Sequence, residues 1–275
     1  MISRSKLKFH ETFQPEWTYI AKVLELAKDS YCGSKFDISD ITGIPTGKQK
    51  GKVEPHIKYA QFMGLIRYEN EKGRYQLSLT RLGQEVFLKD RYLHENLTHW
   101  ICHYGLSRRG AGAPQWSYIV NDGHSGFGQG NGNEWHLARA NRMFGTDLSF
   151  EEMFGVVRRS YLDGCFSDLD YLSWEDEVRY KEHNENREFL FAYAYVLLDS
   201  WQNELSGRNE ITMFDLDGGL GLGKIFGLND GEMDCVLNML GDEGLITVNR
   251  QLYPLTIVQT TDMEDVVARL YDNLL

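Results

Sequence analysis

Apolar positions recur at helical spacing near the front of the chain. In WTYIAKVLELAK, residues 17–28, Ile20, Val23, Leu24 and Ala27 fall on one face, which predicts an amphipathic helix. Asp37 or Ser39 can cap a short second helix that carries Ile38 and Ile41. GIPTGKQKGK, residues 43–52, is punctuated by Gly and Pro and predicts a turn. Residues 53–65 then offer Val53, Ile57, Ala60, Phe62 and Leu65 to a core. MGLIRYE ends that helix at a glycine and turns into a strand. ENEKG predicts a hairpin tip, and Tyr75, Leu77 and Leu79 alternate along the return strand. Thr80 caps the next helix. Helix, turn, helix and two strands in this order predict a winged helix-turn-helix over residues 41–88, a layout that carries a helix into a DNA groove.

The pattern then changes. Residues 92–106 predict a buried, aromatic-rich helix, and NDGHSGFGQGNGN, residues 121–133, a glycine-rich loop. LARANRMFG and SFEEMFGVVRRSYLDG are helical in pattern, and residues 167–188 are acidic and partly exposed. FLFAYAYVLLDSWQNE, residues 189–204, is apolar nearly all round and predicts a central helix. Residues 225–258 repeat the opening grammar: a short helix, a turn at Asn229 and Asp230, a helix of Met233, Val236, Leu237 and Leu240, and then EGLITV in the place of MGLIRY. The expected fold is mainly α with small β wings: two winged-helix-like units joined by a helical middle region. The expected divisions are 1–91, 92–207 and 208–275.

Composition narrows the class. Apolar residues make up 42 % and aromatics 13 % of the 275 residues, enough for a sizeable core. No apolar run approaches the ~18 residues of a membrane span. The opening MISRSKLKFHETF lacks a signal-peptide core, so a cytoplasmic location and no membrane partner are expected. Cys32, Cys102, Cys165 and Cys235 are widely spaced without a CxxC pair, which argues for reduced, isolated thiols. The net charge of −11 conceals an asymmetry. Residues 1–110 hold 18 Lys and Arg against 12 Asp and Glu, whereas residues 111–275 hold 11 against 28. A basic front suits a polyanion and an acidic back suits a protein partner; two solvated faces are the plainer reading.

Lys48, Lys50, Lys52, His56 and Lys58 surround the start of the candidate recognition helix, where helix amides and lysines together suit phosphate. Arg67, Lys72 and Arg74 on the wing are placed to touch the neighbouring backbone or minor groove. The turn is rich in Lys and poor in Arg, which favours backbone contact over base readout. GGLGLGKI, residues 218–225, resembles a phosphate-binding loop, but Ile225 stands where Ser or Thr is required. His99 and His103 lie one helical turn apart, but Trp-Ile-Cys between them is not the HExxH pattern. His124 and His136 flank the glycine loop near Asp122 without further support for a nuclease site. Asp163, Asp168, Asp170, Glu175, Asp176 and Glu177 do not fit an EF-hand. No nucleophile elbow is visible, and no metal or cofactor is expected.

LKFHETFQPEWTYIAK, residues 7–22, resembles the opening motif of the bacterial domain-of-unknown-function family 4007. The residues carrying the resemblance are Phe9, His10, Glu11, Thr12, Phe13 and Trp17, together with the Trp- and His-containing helix LTHWICHYGL, residues 97–106. Members of that family resemble accessory components of bacterial DNA phosphorothioation and phage-defence gene clusters. They sit beside a reductase-like sulfur-activating protein, a cysteine desulfurase and DNA-handling proteins. The resemblance implies a DNA-modification setting with a sulfur-transfer enzyme or other defence-system protein as partner. It supplies no catalytic residues; His10 and Glu11 suit either chemistry or hydrogen bonds to the core.

The expected function is a non-enzymatic DNA-binding or adaptor subunit of such a system. A winged-helix regulator of the cluster, which needs a dimer and a palindromic site, is the alternative. A metal-dependent nuclease using His10 and Glu11, or His99 and His103, is the third class.

Overall fold

The computed structural model describes residues 4–126, 129–251 and 253–274. It is mainly helical with small antiparallel sheets, and it divides into two compact units, residues 1–181 and 182–275. The expected boundary at 91/92 falls inside the first unit and that at 207/208 inside the second.

The first unit opens with α1 (Arg4–Leu7) and α2 (Trp17–Lys28), whose Ile20, Val23, Leu24 and Ala27 are buried as the spacing requires. β1 (Cys32–Ser34) leads into α3 (Lys35–Thr42). The cap of α3 is Ser34, not Asp37 or Ser39: the Ser34 hydroxyl accepts the Asp37 amide, and the Asp37 carboxylate accepts the Ser34 amide. α4 (Val53–Phe62) stops short of the expected residue 65, because Gly64 turns left-handed at φ 80°. β2 (Ile66–Glu71) and β3 (Arg74–Leu79) pair from Ile66 with Leu79 to Glu71 with Arg74. Lys72 (φ 50°) and Gly73 (φ 82°) form the two-residue tip with both φ positive, which matches the twist of the strands. β1 joins the far side of β3, so the sheet order is β1-β3-β2. Thr80 caps α5 (Arg81–Lys89) through the Gly83 amide, as expected.

α6 (Asn96–Ser107) buries nearly every residue and packs on the end of α4. Two glycines let it and α5 approach. A Cβ on Gly83 would lie 1.8 Å from the Leu65 carbonyl oxygen, and one on Gly105 would lie 2.5 Å from that of Met63. The turn between α4 and β2 is thereby wedged between two helices. α7 (Pro114–Ser117) runs into a π turn over Tyr118–Asp122, and α8 (Asn133–Phe144) and α9 (Phe150–Leu162) follow. The segment expected as a loop at 121–133 is thus partly helical, and its Phe127 and Gly128 lie outside the described residues. Asn121 donates to the Ser107 and Ser117 carbonyls, and His124 stacks on Tyr180 at 4.0 Å. The acidic stretch conceals a hairpin, β4 (Leu172–Trp174) and β5 (Val178–Tyr180), that buries Leu172, Trp174 and Val178 beneath its charged turn.

The second unit is built on α10 (Leu190–Glu204), buried on almost every side. β6 (Glu210–Thr212), α11 (Met213–Asp215), α12 (Leu222–Phe226), α13 (Asp230–Asp242), β7 (Ile246–Asn249), β8 (Thr256–Gln259) and α14 (Met263–Ala268) follow. The sheet order, β6-β8-β7, repeats that of the first unit. The likeness extends to single residues. Thr212 and Asp215 make the capping box that Ser34 and Asp37 make, and Gly221 turns left-handed nine positions after Thr212 as Gly43 does after Ser34. Val53, His56, Ile57 and Ala60 of α4 correspond to Met233, Val236, Leu237 and Leu240 of α13, all buried. The Thr80 hydroxyl donates to the Gly64 carbonyl at 2.6 Å, and the Thr260 hydroxyl donates to that of Gly244 at 2.7 Å.

Candidate nucleic-acid interface

The basic turn separates its lysines into two kinds. Lys48 and Lys50 are exposed. Lys52 is turned back on the protein: its ammonium pairs with Glu16 at 2.7 Å and lies over the rings of Phe13 and Tyr19, at 5.7 and 5.2 Å. The hydrogen bond from Lys52 to the Glu16 carboxylate holds the ammonium's pKa above its ordinary value. His56, expected on the contact face, lies wholly inside. Its Nδ1 is 2.6 Å from the Lys52 carbonyl, and its Nε2 accepts the Glu16 amide at 3.2 Å. Burial pushes its pKa down to about 4, so at neutral pH it is an uncharged pin between two segments. Lys58 is half-buried. On the hairpin, Arg67, Lys72 and Arg74 are exposed, and Arg74 reaches the Cys32 carbonyl at 3.2 Å. Lys48, Lys50, Arg67, Lys72 and Arg74 therefore remain as outward cations, while Lys52 and His56 shape the turn.

The HETF motif is the other half of that shaping. Phe9 packs edge-on against Tyr59 and Phe62, and the Tyr59 hydroxyl donates to the Phe13 carbonyl at 2.8 Å. Trp17 stacks on His99 at 4.4 Å and 9°, and its indole N–H donates to the Cys165 carbonyl at 2.9 Å. The two segments that carry the family resemblance thus meet ring to ring. Between these anchors the backbone is strained: Glu11 and Thr12 both have positive φ, 49° and 85°. The Glu11 carboxylate accepts the Gly51 amide at 3.2 Å and so grips the basic turn. His10 Nδ1 accepts the Thr12 amide at 3.1 Å, which puts the proton of the neutral ring on Nε2. Burial, aided by the Arg159 and Lys8 charges, lowers the His10 pKa to about 4.

Motif and turn share a cleft of about 450 Å³. Lys8, His10 and Thr12 line it from the N-terminal segment, Lys50 from the basic turn, and Val156 and Arg159 from α9. Lys8 pairs with Glu152 at 2.6 Å, and Arg159 pairs with Glu151 and donates to the Thr12 carbonyl at 3.3 Å. The hydrogen bond from Lys8, together with those from Ser149, holds the Glu152 pKa down at about 2.

Residues 8–127 match the model of the family described as "Protein of unknown function (DUF4007)". The family resemblance of the sequence holds over that segment, which contains the motif, the basic turn and the hairpin. No curated protein matches the chain. Two solved structures share its fold, described as "Magnesium ion-bound SspB crystal structure" and "SspB crystal structure". Each has a TM-score of 0.74 and covers 97 % of this chain and 88 % of its own, at 16 % and 17 % identity. Among the described residues of this chain, no group of three or more His, Cys, Asp or Glu side chains gathers to hold a metal ion.

The remaining motifs fall into structural places. His99 Nε2 is 2.7 Å from the Leu93 carbonyl and His103 Nδ1 is 2.5 Å from the Tyr161 hydroxyl, so the two rings serve different partners. His136 is buried against Tyr118, and burial lowers its pKa to about 4. Asp122 pairs with Arg109 at 3.3 Å. In the acidic stretch, Asp170 pairs with Lys181 and Glu177 pairs with Arg179. GGLGLGKI lies across a π turn and the five-residue α12, not between a strand and a long helix, so it has no phosphate-loop geometry. All four cysteines are free thiols. Sequence reasoning missed the cleft's far wall: Arg159 follows Thr12 by 147 positions, and no local pattern links them. No helix among the described residues is long and apolar enough to cross a membrane.

Proposed function

We propose that the chain is a DNA-binding adaptor whose first repeat acts as a winged helix. The order and register of α2 to β3 support that reading of the fold. The observation that carries it is the set of outward cations, Lys48 and Lys50 on the turn and Arg67, Lys72 and Arg74 on the hairpin. Lysines on a turn before a helix suit phosphates, so binding is to the duplex backbone with little sequence preference. The adaptor brings a sulfur-transfer or other defence-system enzyme to its duplex, a setting that rests on the family resemblance. The acidic second unit, with 17 Asp and Glu against five Lys and Arg, docks that partner's basic surface. Duplex binding measured against salt tests the reading: a Lys48→Glu/Lys50→Glu protein that keeps full affinity and salt slope sinks it.

A second reading, a nuclease centred on His10 and Glu11, is favoured by their place at a cleft on strained backbone. One protein of similar fold has been crystallised with magnesium. This reading requires nicking of supercoiled plasmid in magnesium that His10→Ala abolishes. Plasmid left intact by the unsubstituted protein removes it.

A further inference from the structure

Backbone contact by the turn and hairpin leaves the cleft of about 450 Å³ unexplained. Its size lies in the range of small-ligand sites, roughly 300–1,000 Å³. Three cations from three distant segments, Lys8, Lys50 and Arg159, line it together with three carboxylates, Glu11, Glu151 and Glu152. We propose that the cleft takes one nucleoside monophosphate unit, with its phosphate on Lys8, Lys50 and Arg159 and its base against His10, Thr12 and Val156.

The proposal rests on the nucleic-acid reading for its ligand class. The geometry carries the rest. Lys8 and Arg159 are paired with Glu152 and Glu151, but side chains in both pairs are 37–68 % exposed, so a phosphate displaces the carboxylates at small cost. The released Glu151 is an acceptor suited to the exocyclic amino group of a base. His10 adds a donor at Nε2 without adding charge, because its Nδ1 is committed to the Thr12 amide. Lys50 belongs to the same turn as Lys48, so a strand lying on the turn has its end, or an unpaired nucleotide, beside the cleft.

Such a unit comes either from a free nucleotide or from an unpaired nucleotide of a DNA strand. Calorimetry on the full chain separates them with four ligands: dAMP, inorganic phosphate, a blunt DNA hairpin, and the same hairpin with a single-nucleotide dA overhang. The expected result is saturable 1:1 binding of dAMP, tighter than phosphate, and about tenfold weaker in Arg159→Gln and in Lys8→Gln. Blunt-hairpin affinity stays unchanged in both variants, and Arg159→Lys restores part of the dAMP binding. A preference for the overhang over the blunt hairpin assigns the site to a strand; its absence, with dAMP still bound, assigns it to free nucleotide. No saturable dAMP binding together with no overhang preference overturns the proposal, as does phosphate binding as tightly as dAMP. Loss of dAMP binding in Arg67→Gln/Lys72→Gln, far from the cleft on the hairpin, also overturns it. Failure of the duplex reading shows separately, as blunt-hairpin affinity indifferent to Lys48→Glu.

Discussion

Where α4 turns His56 toward its interior, α13 turns Val236, and where the first repeat runs from Gly43 to α4 as a turn of ten residues, the second places the five-residue α12 between Gly221 and α13. The apolar positions of the two repeats correspond, as do their caps, their left-handed glycines and their threonine-to-glycine hydrogen bonds. Apart from His56 against Val236, their differences in charge face outward. In the second unit Arg208 pairs with Asp215 at 2.8 Å, Arg250 with Asp234 at 3.2 Å and Arg269 with Glu243 at 2.5 Å. In the first, the long turn and the hairpin present lysines and arginines to solvent. One packing scheme thus serves two electrostatic purposes. Core positions answer to volume, and surface positions are free to change sign.

Backbone contacts at Gly83 set the first repeat apart most strongly. Gly83→Ala forces a Cβ into the Leu65 carbonyl, 1.8 Å away, and shifts α5 against β2. A loss of about 3–5 kcal/mol in chemical denaturation is expected, the scale of severe core disruption. Gly241→Ala in α13 meets nothing within 4 Å. It should be neutral or stabilise by up to ~1 kcal/mol, as a helical Gly→Ala does. Equal effects of the two would show that the wedge between α5 and α6 carries no weight.

Next in size is the division of labour in charge. Lys48→Glu/Lys50→Glu should weaken duplex binding by about 10- to 100-fold and lower the salt slope by roughly two. Asp234→Asn in the second unit should change neither. Filter binding at two salt concentrations reads both.

Acid sharpens the contrast further. His10 and His56 have ordinary pKa values of 6.5 and folded values of about 4, so folding disfavours their protonation. The stability they contribute is complete above pH 6.5 and is lost as pH falls toward about 4, because the unfolded chain then binds the protons. The melting temperature should therefore fall between pH 7 and pH 5, by an amount equivalent to ~4 kcal/mol for the two together. His56→Gln should flatten that fall. The second unit holds only His183, and its amides should keep their exchange protection over the same interval once intrinsic exchange rates are allowed for.

The smallest test concerns likeness itself. Ser34→Ala and Thr212→Ala each remove a capping box and should each cost about 1 kcal/mol. Unequal losses would mean that the two caps share geometry but not energetic weight.

Much of this fold could be read from residue spacing. The helices around Ile20 and Val53, the hairpin, the Thr80 cap and the apolar α10 follow periodicity, and the match of EGLITV to MGLIRY exposes the repeat. The cap of α3 was misread because Asp37 and Ser39 are both good cap residues and only backbone geometry selects Ser34. The β4–β5 hairpin escaped because the charged turn at 175–177 interrupts the alternation of its short strands. Of the candidate interface, outward cations such as Lys48 and Lys50 were legible as charge on a turn. The inward fate of Lys52 and His56 was not, since Glu16 and Tyr19, which engage them, lie more than 30 positions away. The cleft depends on Arg159 meeting Thr12, a contact made only by tertiary packing.

The grip of Glu11 on the Gly51 amide and of Glu16 on Lys52 has a consequence for the portability of the first repeat. Every helix and strand of that repeat begins at Trp17 or later, yet Glu11 and Glu16, which hold its basic turn from outside, come before Trp17. A domain grafted from Trp17 onward would carry its own secondary structure and its own lysines but leave behind the strap that shapes the turn. The stretch that fixes the turn is therefore longer than the unit of fold, and recombination at the edge of the first helix would pass on the shape of the repeat without the turn's conformation.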